Sequence, residues 1–224
     1  MRAGNLNPMH PLLLPAMAMA GGVEVGPGSG VTNVYIAPNG VPVVNINTAN
    51  SAGLSHNKYN QYNVDSNGLI LNNGNSSQMS RSSQLAAQIM ANTNLSAEAR
   101  VILNEVVAAN RSQLRGFTEV LGGRADVIIA NPYGITCNGC GFINSDRVTL
   151  TTGTPNILAS GALGGFSVNR GDILIEGIGL NGSSQNYFDL VARSIKVAGQ
   201  INAKDLKIAA GSNTWNYLTQ TASA

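Results

Sequence analysis

The sequence predicts an all-β chain built as a solenoid of short stacked strands. One observation is the run Ala130-Asn131-Pro132-Tyr133-Gly134-Ile135-Thr136-Cys137-Asn138-Gly139-Cys140-Gly141-Phe142-Ile143-Asn144, which packs two tight turns between short apolar segments. Pro132 and the glycines at 134, 139 and 141 exclude a helix there. A second is that short apolar triplets recur from Ala125 onward, divided by Gly, Asn or Asp corners. A third is a repeat: Ile195-Lys196-Val197-Ala198 and Leu206-Lys207-Ile208-Ala209 lie eleven residues apart, with a glycine one or two residues on, at Gly199 and Gly211. Such a repeat suits coils that each bury their inner face on the next. A sandwich of seven strands also gives short, evenly spaced strands, but accounts for the repeat less well.

Composition sets the outer limits. The chain has 224 residues, enough for one large domain or two small ones. Charged residues make up 11%, aromatics 5%, and there are 26 glycines; Asn is frequent throughout. Asn and Gly tolerate the left-handed backbone that corners need. The net charge is +2, and Lys and Arg are scattered without interleaved aromatics, so no nucleic-acid partner is expected.

In chain order, residues 1–20 read as a signal-peptide remnant or an appended tail. Leu12-Leu13-Leu14-Pro15-Ala16-Met17-Ala18-Met19-Ala20 ends in the A-x-A pattern of a signal-peptidase site, but Arg2 is the lone basic residue upstream and Pro11 and Pro15 interrupt the run. No stretch is long and apolar enough to span a bilayer. Residues 21–40, Gly-rich at their start, are expected as a flexible segment, and residues 41–224 as the folded domain. Val41-Pro42-Val43-Val44-Asn45-Ile46 reads as an edge strand with proline near its start, and as an N-terminal cap. Residues 59–64 and 69–71 read as strands divided by the turn Asp65-Ser66-Asn67-Gly68, and residues 72–83 as a polar loop.

Residues 84–110 are ambiguous. Helix formers fill 84–90 and 97–109, and Ser96 could serve as an N-cap. Yet Val101, Ile102, Val106 and Val107 are β-branched. Further on, strands are expected at 127–129, 148–150, 166–168, 173–175, 188–191, 195–197 and 206–208. Alternation turns Ile, Leu and Val inward and Lys or Thr outward. The last coil, near 206–209, shows no cap, as in a fragment of a far longer protein.

Candidate chemistry is sparse. Cys137 and Cys140 are the only cysteines, and the histidines His10 and His56 lie far away, so a four-ligand zinc site is disfavoured. A redox CxxC opens a helix, against which Gly139 and Gly141 argue. A short structural disulfide in an oxidising compartment is the preferred reading, worth about 2 kcal/mol for so small a loop. Asp126, Asp146, Asp172 and Asp189 are isolated and read as solvated turn residues, not as the paired carboxylates of a glycosidase or a calcium cluster. No nucleophile motif, phosphate loop or H-E-x-x-H occurs, so no enzyme, cofactor or metal is expected. His56 reads as a turn or loop hydrogen-bonding residue. Trp215 and Tyr217 could form a carbohydrate platform, but fit the start of a further coil better. The rival reading is a β-helical polysaccharide-binding or polysaccharide-lyase domain.

The run Ala125-Asp126-Val127-Ile128-Ile129-Ala130-Asn131-Pro132-Tyr133-Gly134-Ile135, continuing through Cys137-Asn138-Gly139-Cys140 to Asn144, closely resembles the signature of the two-partner-secretion domain. That domain opens filamentous haemagglutinins, haemolysins and contact-dependent growth-inhibition toxins. Gly53-Leu54-Ser55-His56-Asn57-Lys58-Tyr59 with Gly68-Leu69-Ile70-Leu71-Asn72-Asn73 resembles the family's first block. Val101-Ile102-Leu103-Asn104-Glu105-Val106 with Ser112-Gln113-Leu114-Arg115-Gly116 resembles the block between its two Asn-Pro motifs. Arg147-Val148-Thr149-Leu150-Thr151-Thr152-Gly153 resembles the family's segment C-terminal to the cysteines. The family's N-P-N-G-I stands here as Asn131-Pro132-Tyr133-Gly134-Ile135, and its upstream N-P-N-L as Asn92-Thr93-Asn94-Leu95, without the proline.

The resemblance implies a right-handed parallel β-helix with an N-terminal cap and extra-helical hairpins, and strands with loop over 84–110. It implies recognition in the periplasm of a Gram-negative bacterium by the POTRA modules of a TpsB-type outer-membrane barrel transporter, and then secretion to the medium or the cell surface. It makes the two Asn motifs the candidate secretion motif, a target-cell receptor a matter for the rest of the exoprotein, and the isolated domain a monomer. From the residues alone, Asn131 and Pro132 read first as a turn at a coil corner.

Overall fold

The computed structural model describes residues 19, 20 and 22–224. Most of the segment read as a signal remnant or tail thus lies outside the described residues. Among those described there is no helix; short strands form parallel stacks on three faces. The first face comprises Leu54–Tyr62, Val101–Val106, Asp126–Ala130, Arg147–Thr151, Tyr187–Ala192 and Leu206–Ala210, each parallel to the next. The second comprises Ser112–Leu114, Ile135–Cys137, Asp172–Ile175 and Ser194–Val197. The third comprises Pro42–Asn45, Leu69–Asn73, Phe117–Gly122, Cys140–Ile143, Leu180–Gly182 and Ile201–Ala203. The chain visits the faces in rotation, which makes a parallel β-helix.

Side-chain alternation fills the interior with aligned columns. Ile102, Val127, Val148 and Phe188 are successive register partners on the first face, and so are Ile129, Leu150 and Leu190. All are buried in one cluster with Ile135, Ile173 and Leu180 from the other faces. Like residues stacked on like residues leave few voids, so burial of each column approaches the full transfer free energy of its side chains.

Two outer faces are also dry, which explains why Val127-Ile128-Ile129 is apolar without a break. Val127 and Ile129 point in, while Ile128 points out and is still buried. An antiparallel sheet of Thr154–Ile157, Leu163–Val168, Asn213–Asn216 and Thr221–Ser223 lies on that side. Its Phe166 and Trp215 cluster with Leu103, Ile128 and Val191 of the first face, together with Tyr217. Trp215 and Tyr217 therefore do not begin a further coil: they belong to this extra-helical layer. The hairpin of Ser80–Ser82 and Gln88–Met90 covers the third face in the same way, Ile89 joining Val43, Ile70 and Leu121.

The N-terminal end is closed by reversed strands. Val23–Val25 runs antiparallel to Leu54–Tyr62, and Asn33–Ile36 antiparallel to Pro42–Asn45. Residues 21–40, expected as a flexible lead-in, thus carry two strands. The segment read as an edge, Pro42–Asn45, is an inner strand, with Asn33–Ile36 as the edge. Pro42 is tolerated because it opens its strand.

Residues 84–110 contain Gln88–Met90 and Val101–Val106 and no helix. Ile102 and Val106 are buried in the interior, and burial there overrides local propensity. Ser96 caps no helix; its N–H donates to Thr48 Oγ1 at 3.1 Å. The loop expected over 72–83 is replaced at both ends by strand, with Asn72 and Asn73 buried.

Candidate functional site: the recognition corners

The two Asn motifs fold into the same turn. At the corner leaving the first face, Asn131 Oδ1 accepts the Tyr133 N–H at 2.9 Å and the Gly134 N–H donates to the Asn131 carbonyl at 3.0 Å. At the corner leaving the third face, Asn92 Oδ1 accepts the Asn94 N–H at 3.0 Å and the Leu95 N–H donates to the Asn92 carbonyl at 3.2 Å. Asn suits this place because its side chain bonds its own backbone two residues on. The missing proline at Thr93 leaves this hydrogen-bonded geometry intact.

Each Asn amide also ties its corner to neighbouring chain. Asn131 Nδ2 donates to the Asn110 carbonyl at 2.8 Å and to Ser112 Oγ at 2.9 Å. Asn92 Nδ2 donates to the carbonyls of Ile46 and Asn72, both at 2.9 Å. Both Asn side chains are fully buried. Ile135 and Leu95 anchor the turns in the interior, while Thr93 is exposed and Asn94, Pro132 and Tyr133 are half-buried. Asn94 Nδ2 donates to the Val31 carbonyl at 3.1 Å, binding the cap to this corner. The two motifs sit at different corners, each held by its own set of hydrogen bonds.

Gly134 has φ +106°, and a Cβ there would collide with Arg111 Nη1. That closeness serves an ion pair: Arg111 holds Asp172 through two hydrogen bonds of 2.8 Å. The guanidinium hydrogen bond lowers the Asp172 carboxyl below its ordinary value. Sequence reading missed Arg111, because its partner is 61 residues away and only stacking of coils brings them together.

Cys137 closes the second face and Cys140 opens the third. They form a disulfide with Cα atoms 5.4 Å apart, buried at the corner between the faces. The Gly139 N–H donates to the Gly179 carbonyl at 2.8 Å, so the clamp is stitched to the next coil.

The other acids are structural. Asp189, expected as a solvated turn residue, is fully buried on the outer side of the first face. Its Oδ2 lies 2.8 Å from Arg147 Nε, 2.7 Å from Arg147 Nη2 and 2.8 Å from Thr149 Oγ1. Arg147 stacks 3.9 Å from the Tyr217 ring centroid and donates to the Tyr217 carbonyl at 2.7 Å, latching the extra-helical layer onto the helix. Asp146 pairs with Arg124 at 3.1 Å. Asp126 accepts the Arg147 N–H at 3.1 Å, and burial raises its carboxyl above the ordinary value. Glu119, which sequence reading passed over, accepts the Gln84 and Leu85 N–H groups and Ser83 Oγ, pinning the hairpin. His56 is on a strand, not in a loop; its Nε2 lies 2.6 Å from Glu105 Oε2 on the adjacent strand. Among the described residues no three His, Cys, Asp or Glu side chains are grouped to hold a metal.

Comparison with known proteins matches this arrangement. The family model described as TPS secretion domain matches residues 25–224. A relative named 16S rRNA endonuclease CdiA, from Enterobacter cloacae subsp. cloacae, is 53% identical over 203 residues, which is 90% of this chain and 6% of the relative. Filamentous hemagglutinin of Bordetella pertussis is 41% identical over 199 residues, 86% of this chain and 5% of that protein. The chain thus spans about 6% of the length of the curated relatives it matches. Among solved structures, the crystal structure of a filamentous hemagglutinin secretion domain superposes with a TM-score of 0.83 at 38% identity, covering 91% of this chain and 68% of that one. With the β-helix, its cap and both Asn corners in place, the chain belongs to the TPS secretion domain family.

Proposed function

We propose that this chain is the part of a much larger exoprotein that is read for export. In this reading the POTRA modules of a TpsB-type outer-membrane transporter bind it in the periplasm and start translocation. The folded helix then templates the succeeding coils. The parent is an adhesin, a haemolysin or a contact-dependent inhibition toxin, released from or displayed on a Gram-negative cell.

One observation carries the reading. Relatives named for different activities, an rRNA endonuclease, tRNA nucleases and a filamentous hemagglutinin, share this one small region. A region shared across different named activities carries what those proteins have in common. In the motif, the buried Asn side chains shape the corners, and Thr93, Pro132 and Tyr133 are what a partner can touch.

The test is direct. The purified domain is titrated with the purified POTRA modules of its partner transporter, and secretion of the parent is followed with and without the domain. Saturable binding, with secretion lost on deletion, is expected. Secretion unchanged without the domain would refute the reading.

A further inference from the structure

The corner leaving the first face carries an uncompensated charge. Tyr133 stands on one turn of that corner, and Arg170 on a later one sets its guanidinium 4.6 Å from the Tyr133 ring centroid. Arg193 stands on the turn after that. The two later turns are coupled, since the Ser194 N–H donates to the Gly171 carbonyl at 3.3 Å. The Arg193 N–H donates to Thr152 Oγ1, also at 3.3 Å. Both arginine side chains are exposed, and Tyr133 is half-buried.

Neither arginine enters an ion pair among the described residues. The neighbouring carboxylate, Asp172, is paired instead with Arg111, which holds both of its oxygens. In a chain with only 11% charged residues, two exposed arginines on successive turns, neither in an ion pair and the first of them on an aromatic ring, make this corner positive. Guanidinium forks donate to carboxylates in bidentate geometry, and the Tyr133 ring and Pro132 offer a small apolar seat beside Arg170.

We propose that Tyr133, Arg170 and Arg193 form a docking ridge for an acidic, extended segment of the export partner. Carboxylates of that segment pair with the two arginines, and an apolar side chain rests on Tyr133. The proposal rests on the secretion reading and names the surface through which it operates. It also gives the tyrosine at the family's second Asn position a role: it orients Arg170 and sets partner specificity.

The experiment measures affinity of the chain for the purified POTRA modules of its transporter at low and high salt. The double variant R170E/R193E should bind about tenfold more weakly or worse, because like charges then face each other. It should also lose most of the salt dependence. R170K/R193K should retain most of the affinity, and the thermal midpoint of both variants should match the parent. Unchanged affinity in R170E/R193E, beside a parent that binds, would overturn the ridge alone. A parent that does not bind would overturn the secretion reading instead. Sedimentation with phosphatidylglycerol vesicles separates the other source of negative charge. If the double variant loses vesicle binding but keeps module binding, the ridge is a membrane contact and the proposal fails.

Discussion

Replacing Asn131 by Ala tests whether the second Asn motif is a structural corner. The substitution removes three side-chain hydrogen bonds: from Tyr133 N–H, to the Asn110 carbonyl and to Ser112 Oγ. Asn110 is exposed and Tyr133 half-buried, so water can recover part of their loss. Ser112 is fully buried and is left short of a partner, at a cost of about 1–3 kcal/mol, while the other two bonds are worth about 1 kcal/mol each. The sum is about 3–5 kcal/mol, which water at the two accessible groups brings toward about 3 kcal/mol. For a domain of this size that lowers the thermal midpoint by about 6–12 °C. Far-ultraviolet circular dichroism follows the β-helix, and the fluorescence of Trp215, the sole tryptophan, follows the extra-helical layer. Asn92→Ala should behave alike, because its amide and carbonyl oxygen are equally engaged. Tyr133→Ala should cost less than about 1 kcal/mol, the scale of an exposed cation–π contact. A midpoint for Asn131→Ala within about 1 °C of the parent would refute the structural assignment. Lost POTRA binding at unchanged stability would make Asn131 a contact residue.

Further outcomes are expected elsewhere. Intact mass after denaturing alkylation of unreduced, periplasmically produced protein should show no free thiol, and the double variant Cys137→Ser, Cys140→Ser should still fold, losing about 2 kcal/mol; two alkylated thiols would disprove the bridge. Arg147→Ala strands the buried Asp189 carboxylate and should cost about 3–5 kcal/mol, read in urea midpoints; a loss under about 1 kcal/mol would show the pair to be dispensable. Gly165→Ala drives a Cβ into the Trp215 carbonyl oxygen, so protease should cut residues 213–224 faster while the β-helix survives; an unchanged cleavage rate would count against that packing. The Arg111–Asp172 pair depresses an acid, so its contribution is present above about pH 4 and lost as pH falls through the lowered value. The stability gap between the parent and Arg111→Gln should therefore narrow below about pH 4, and a gap independent of pH would exclude the pair as its source.

Strand positions from Ala125 onward were legible because period-two alternation and Gly or Asn corners are local signals. The Asn131 turn was legible for the same reason: the side chain bonds its own backbone two residues on. Residues 84–110 were not legible from the residues themselves. Good helix formers and β-branched residues compete there, and only stacking of Val101–Val106 between Leu54–Tyr62 and Asp126–Ala130 decides the outcome. The cap was misplaced by a strand. A Gly-rich stretch gives no local sign that Val23–Val25 will pair with a strand ending at Tyr62.

By itself the sequence determined a chain of short strands with asparagine corners, a cysteine pair set in a turn, and the resemblance that implied a capped parallel β-helix. These arise from patterns within a few residues, or from blocks shared in order along the chain. Only the tertiary structure decided that Trp215 and Tyr217 cover the first face, that Asp189 is buried on Arg147, and that Arg170 stands over Tyr133 with Arg193 on the next turn. The physical reason is common to all three. In a parallel β-helix a residue's lateral neighbours lie a full coil or more away in sequence, so charge pairing and outer-face burial are set by register and by extra-helical docking, which local periodicity does not encode.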